Sequence, residues 1–162
     1  MIKYLPYIVY LLLIGLHQII LKDLTSIAGI TINLPALLVC LFAIYKSDIQ
    51  SAWFGFLAGL ALSPGEPSLI GEQALALSAL GLAAFHARLK LNLDSILSKI
   101  SLVAAGVMLH SSVSLLLPIK AGFFFRLWSD AFPEALYTSL LGWLFFMYKD
   151  GRLSLKKLKS IF

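Results

Sequence analysis

Between Tyr4 and Leu21 the chain carries no Asp, Glu, Lys or Arg, and the same holds from Leu24 to Tyr45. The apolar runs are continuous rather than alternating, which argues against the strand pattern of a membrane barrel. A segment that crosses lipid must satisfy its own backbone hydrogen bonds, so runs of this kind fold as helices. Hydrophobic residues make up 60% of the 162 residues and charged ones 13%, against roughly 25% charged in a soluble domain. The expectation is an all-α membrane protein, a compact bundle of about six transmembrane helices over residues 1–148, followed by a basic cytoplasmic tail at 149–162.

Prolines and polar breaks divide the bundle. Helix one runs from about Tyr4 to Leu21 and is read as a retained span, because no small-x-small cleavage site precedes Lys22. Ala28 to Leu34 reads as a turn near the surface. Helix two starts at Pro35, a favoured first helical position, and runs to Tyr45. Lys46-Ser47-Asp48 is a tight turn, and helix three covers Gln50 to Leu62. These two helices are short for a hydrocarbon core of about 30 Å. They are either extended by polar flanks, met by a thinned bilayer, or buried deep in the bundle. Ser63 to Ser68 is a loop with two prolines, and helix four covers Glu72 to Arg88. Helix five begins after Asp94 or Ser95 and ends at Leu117, before Pro118. Ile119 to Phe132 reads as a segment lying at the interface, and helix six runs from Pro133 to Tyr148.

Six spans place both termini on one side. The loops on that side hold Lys3, Lys46, Arg88, Lys90, Lys99 and the tail cations, ten of the thirteen basic residues. The positive-inside bias then makes that side, with both termini, cytoplasmic. In this setting the net charge of +5 reflects orientation and anionic lipid rather than nucleic acid. Arg152, Lys156, Lys157 and Lys159 are the expected lipid contacts.

Small residues recur every fourth position through helix three, at Ser51, Gly55, Gly59 and Ser63, and stack into one row. Such rows let helix backbones approach closely in lipid. The row serves packing within the bundle or docks a partner helix, and helix three is expected to be the buried centre of the fold. Ala79 and Ala83, with Ala87, form a matching row on helix four. His17, Gln18, Glu72, Gln73 and His110 fall at similar depth in the outer half. They are either an outward-facing polar cavity or hydrogen-bonding glue between helices. No Ser-His-Asp spacing, phosphate loop, His-x-x-x-His pair or intramembrane carboxylate pair occurs. One cysteine, Cys40, excludes a disulfide framework. No enzyme activity, cofactor or metal is expected.

The order of these features resembles the MreD family, the small integral-membrane component of the bacterial rod-shape machinery. Trp53-Phe54-Gly55-Phe56-Leu57-Ala58-Gly59-Leu60 is similar to the family's glycine helix. Ser68 to Leu75 is similar to its loop and fourth-helix start, and Pro133 to Leu141 to its last helix. The chain departs in carrying Ser63 where the family usually has an aspartate, and Pro35-Ala36-Leu37 where Pro-Asp-Leu is often seen. The resemblance implies a non-catalytic scaffold of the elongasome that determines rod cell shape. It would bind MreC and couple MreB filaments to a RodA-type glycosyltransferase and a class B penicillin-binding protein, and so to peptidoglycan synthesis. It also implies a fold similar to the substrate-binding subunits of energy-coupling-factor vitamin transporters, the alternative function. Helix one, with Gly15 as its only small residue, lacks the alanine rows expected for docking a transport module.

Overall fold

In the computed structural model, residues 5–27, 29–62, 70–116 and 123–150 are described. Among the described residues the protein is all-helical, with six helices and no strand beyond an isolated bridge between Ile27 and Ile30. Helix α1 comprises Leu5–Leu16, a π-helical turn His17–Leu21 and a last turn Lys22–Leu24. Then follow α2 (Leu34–Tyr45), α3 (Asp48–Leu62), α4 (Ile70–Lys90) and α5 (Ile96–Leu116). Helix α6 comprises Phe123–Arg126, a second π turn Leu127–Ala131 and Phe132–Lys149.

The segment expected at the interface before Pro133 is therefore helical from Phe123 onward and continuous with α6. Pro133 lacks the N–H that would close an α-turn, and the chain widens into the π turn just before it. There the Phe132 N–H reaches back to the Leu127 carbonyl.

The buried centre is α2, not α3. Every residue from Pro35 to Ile44 is buried, and α2 touches each of the other five helices. At 1.5 Å per residue its twelve residues extend only about 18 Å. Such a helix cannot leave its ends to solvent, and both ends are held by side chains. At the start, Asn33 Oδ1 accepts from the Ala36 N–H at 3.2 Å, a side-chain cap. At the finish, Arg88 of α4 donates through Nη1 to the carbonyls of Ala43 (2.9 Å), Ile44 (2.7 Å) and Lys46 (3.0 Å). These are the orphan acceptors of a helix C-terminus.

Helix α3 is half-exposed. Ser51, Phe54, Gly55, Ala58 and Gly59 face inward, while Trp53, Leu57 and Leu60 face out. Its inner face packs on α4, the most extensive helix pair in the fold. A Cβ on Gly55 would fall on the Leu77 carbonyl, and one on Gly59 on the backbone of Ala74. From the other side, a Cβ on Gly81 would meet the Ser51 carbonyl. The face of α4 that meets the row is thus Ala74, Leu77, Ser78 and Gly81. Ala79 and Ala83 are exposed and do not face α3, contrary to expectation. Ala83 and Ala87 instead line a shallow apolar groove between α4 and α5. Ser63 lies outside the described residues, as do Arg152, Lys156, Lys157 and Lys159.

An aromatic cluster ties α1 to this core. Phe42 and Phe54 stack at 4.0 Å between ring centroids, and Tyr7 and Tyr10 meet Phe42 edge-on. The remaining face of α1 is uncovered: Ile8, Leu12, Leu16 and Ile19 are all more than half exposed. By length and composition, one described helix, Ile96–Leu116, is long and apolar enough to cross a bilayer.

Charge is segregated along α2. Around its C-terminal end lie Arg88, Lys149, whose Nζ sits 3.1 Å above the Tyr45 ring, and Lys46, over the Tyr7 ring. Lys99, counted from sequence among the cytoplasmic-side cations, is in the first turns of α5, buried, and paired with Asp150 at 2.8 Å. The opposite end carries the site described next.

Candidate functional site: a polar cavity at the start of α2

Asn33 was expected at a surface turn. It is buried and is the hub of a hydrogen-bond network. Its backbone N–H donates to Thr138 Oγ1 of α6 at 3.0 Å. Its side-chain amide donates to His110 Nδ1 at 3.0 Å and to Ser111 Oγ at 3.4 Å. On the other side of the ring, His110 Nε2 lies 3.2 Å from Gln73 Oε1 of α4. An amide donor on Nδ1 and a carbonyl acceptor beside Nε2 select the neutral tautomer with its proton on Nε2. Ser111 Oγ in turn donates to Glu134 Oε2 of α6 at 2.6 Å. Five side chains, from three helices (α4, α5 and α6) and the α1–α2 connection, thereby form one chain, in which each member orients the next.

These groups form part of the wall of a cavity of about 240 Å³. Gln18 of α1, Thr31 and Ser114 line it as well, and Asp130 and Glu134 supply its carboxylates. The two π turns both reach it, α1 through Gln18 and α6 through Asp130 and Ala131.

Of the five polar residues expected together, the structure brings together three: Gln18, Gln73 and His110. His17 is buried but does not line the cavity. Its Nε2 lies 3.4 Å from Thr25 Oγ1, because one residue along a helix turns a side chain by about 100°. Glu72 is exposed and also absent from the lining. Reasoning from sequence missed Asn33, Ser114, Thr138, Asp130 and Glu134 as members. The available signal was Asn33 two residues before Pro35, the position of a helix cap.

Among the described residues, no three His, Cys, Asp or Glu side chains converge as a metal site would need. Comparison with protein-family models, with curated proteins and with solved structures finds no match for this chain.

Proposed function

We propose that this chain is a multi-pass scaffold of the bacterial inner membrane with both termini cytoplasmic, acting as its resemblance to MreD implies. In this role it binds MreC and helps couple MreB filaments to a RodA-type glycosyltransferase and a class B penicillin-binding protein. It performs no chemistry itself.

The membrane setting is supported by the exposed apolar surface. Phe124, Phe125, Trp128, Leu97 and Trp53 are each more than 60% exposed, in addition to the open face of α1. In a soluble monomer so many large, exposed apolar side chains are unusual. Lipid is the solvent that suits it, with the short, capped α2 held inside the bundle rather than spanning by itself.

The observation that carries the scaffold reading is that the three stretches behind the resemblance converge in space. Gly59, from the first, rests on Gln73 and Ala74, from the second. Gln73 continues through His110 to Asn33, and Asn33 meets Thr138, from the third. Segments scattered over about ninety residues of sequence thus build one region around the start of α2.

The test is affinity purification in mild detergent from the native membrane, with partners and small molecules identified by mass spectrometry. Recovery of MreC together with cell-wall synthases is the expected result. Recovery of a transport ATPase module with a bound vitamin would overturn it.

A further inference from the structure

We propose that the apolar groove between α4 and α5 holds one acyl chain of a phospholipid whose headgroup carries a primary ammonium, a phosphatidylethanolamine, with Lys90 on its phosphate and Asp94 on its ammonium. This rests on the membrane setting proposed above and not on the scaffold role.

The groove exists because its walls are short. Ala83 and Ala87 on α4 stand across from Ser101 and Ala105 on α5, all four exposed, and the space between the helices is about 340 Å³. Ser101 is the one polar residue in the lining. Its hydroxyl donates to the Ser98 carbonyl of its own helix at 3.0 Å, so the groove offers a ligand a hydrocarbon surface.

Length selects the occupant. On α4 the groove runs from Leu80 to Leu91, about 16 Å at 1.5 Å per residue. That is the depth of one leaflet, half of a hydrocarbon core of about 30 Å. A partner's transmembrane helix crosses both leaflets and needs a track through the whole core. An acyl chain ends near the midplane, and this groove ends at Leu80, the middle residue of α4 (Ile70–Lys90).

Charge at the open end selects the headgroup. The Leu91 end lies beside Arg88, at the proposed cytoplasmic face. Of the described cations there, Arg88 is engaged by the α2 carbonyls and Lys99 by Asp150, while Lys46 and Lys149 sit over tyrosine rings. Lys90 is exposed and has no partner among the described residues. It follows Ala83 by seven residues, about 20° away around the helix, and so leaves α4 on the groove side. Asp94, in the connection that begins at Leu91, is also exposed. Its backbone N–H is bonded to Asn92 Oδ1, but its carboxylate has no partner among the described residues. Four residues of chain span at most about 14 Å. An unpaired cation and an unpaired carboxylate beside one apolar groove are complementary to a phosphate joined to an ammonium. A headgroup with negative charge alone would meet repulsion from Asp94.

The experiment is native mass spectrometry of the full-length protein released from detergent micelles, after titration with dioleoyl phospholipids that differ only in headgroup. The expected result is retention of one phosphatidylethanolamine, at least about fivefold more tightly than phosphatidylglycerol. Phosphatidylcholine, whose choline has no N–H to donate, should bind at least about threefold more weakly. Lys90→Gln should lower phosphatidylethanolamine affinity about fivefold, the usual effect of one basic residue at a membrane surface. Asp94→Asn should erase the preference over the other two lipids. Ala105→Leu fills the groove from an exposed position, so it should abolish retention without lowering the unfolding temperature of the lipid-free protein.

Equal retention of the three lipids would overturn the proposal, as would unchanged phosphatidylethanolamine affinity in both K90Q and D94N, or undiminished retention in A105L. A photoreactive side chain at position 105 that couples to a co-purified protein instead of lipid would assign the groove to a partner helix and overturn it as well. Recovery of the protein from cells in the aqueous fraction, without detergent, would overturn the membrane setting and this site together. An integral protein without headgroup preference would overturn this site alone.

Discussion

Arg88 Nη1 lies 2.7 Å from the carbonyl oxygen of Ile44, and this contact helps join the end of α4 to the last turn of the buried helix α2. The same nitrogen reaches the carbonyls of Ala43 and Lys46, and the guanidinium lies 4.5 Å from the Phe85 ring centroid. A residue that the sequence counts among the surface cations at the end of helix four is thus the C-terminal cap of the core.

Replacing Arg88 should therefore cost stability rather than only surface charge. Hydrogen bonds to a charged donor contribute about 1.5–3 kcal/mol, and Arg88→Ala is expected to lose about that much. Arg88→Lys should recover only part, since an ammonium can donate to the same carbonyls but loses the guanidinium contact with the Phe85 ring. Thermal or denaturant unfolding in detergent measures both, and equal stability of R88A and the parent protein would disprove the cap.

The glycines of the α3–α4 seam differ sharply from others in the chain. Gly59→Ala would drive a Cβ into the Ala74 backbone and Gly55→Ala into the Leu77 carbonyl, where no side chain can rotate away. Each should destabilise by at least about 1–3 kcal/mol, the usual cost of overpacking, and leucine at either position should prevent assembly of the bundle. Gly71→Ala, where a Cβ meets nothing, should be neutral or slightly stabilising, because alanine is the better helix former. The unfolding temperatures of the three alanine variants, measured side by side, decide the point.

The Lys99–Asp150 pair predicts strong non-additivity. The Lys99 side chain is 11% exposed and that of Asp150 26%. Asp150→Asn strands a mostly buried ammonium, so it should cost more than the double variant Lys99→Met/Asp150→Asn. The coupling expected from a double-mutant cycle is about 0.5–3 kcal/mol, and additive effects would show that the pair contributes nothing.

Cys40 provides an internal reporter. It is fully buried on α2, and a Cβ on Gly106 would fall on its Sγ. N-ethylmaleimide should not label it in the folded protein and should label it stoichiometrically after unfolding. Gly106→Ala should speed labelling several-fold by forcing α5 away from α2. Rapid labelling of the parent protein would contradict the central position of α2.

The helix number, the start of α2 at Pro35 and the close-packing character of Gly55 and Gly59 were legible in the chain. Prolines, polar turns and rows of missing side chains act locally and leave a local trace. The centre of the fold was not legible. Helices α2 and α3 are both short and apolar, and only the tertiary arrangement buries Val39 and leaves Trp53 exposed. The facing of α4 was lost for a related reason. A helix that is apolar nearly all round has little contrast about its circumference, so Ala79 and Ala83 gave no sign that they turn away from α3. Asn33 was overlooked because its partners, His110 and Thr138, lie 77 and 105 residues away.

The central place of α2 also orders events at the ribosome. This helix is synthesised second, yet Thr138, which receives its Asn33 N–H, arrives only with the last helix. Arg88, its other cap, is translated more than forty residues after Ile44. A nascent chain thus holds its central helix without the Arg88 cap and without Thr138 until α4 and then α6 emerge. Closure of the core is a late event in biogenesis, and stalling between α3 and α6 exposes the segment most prone to be captured by insertion chaperones or quality-control proteases.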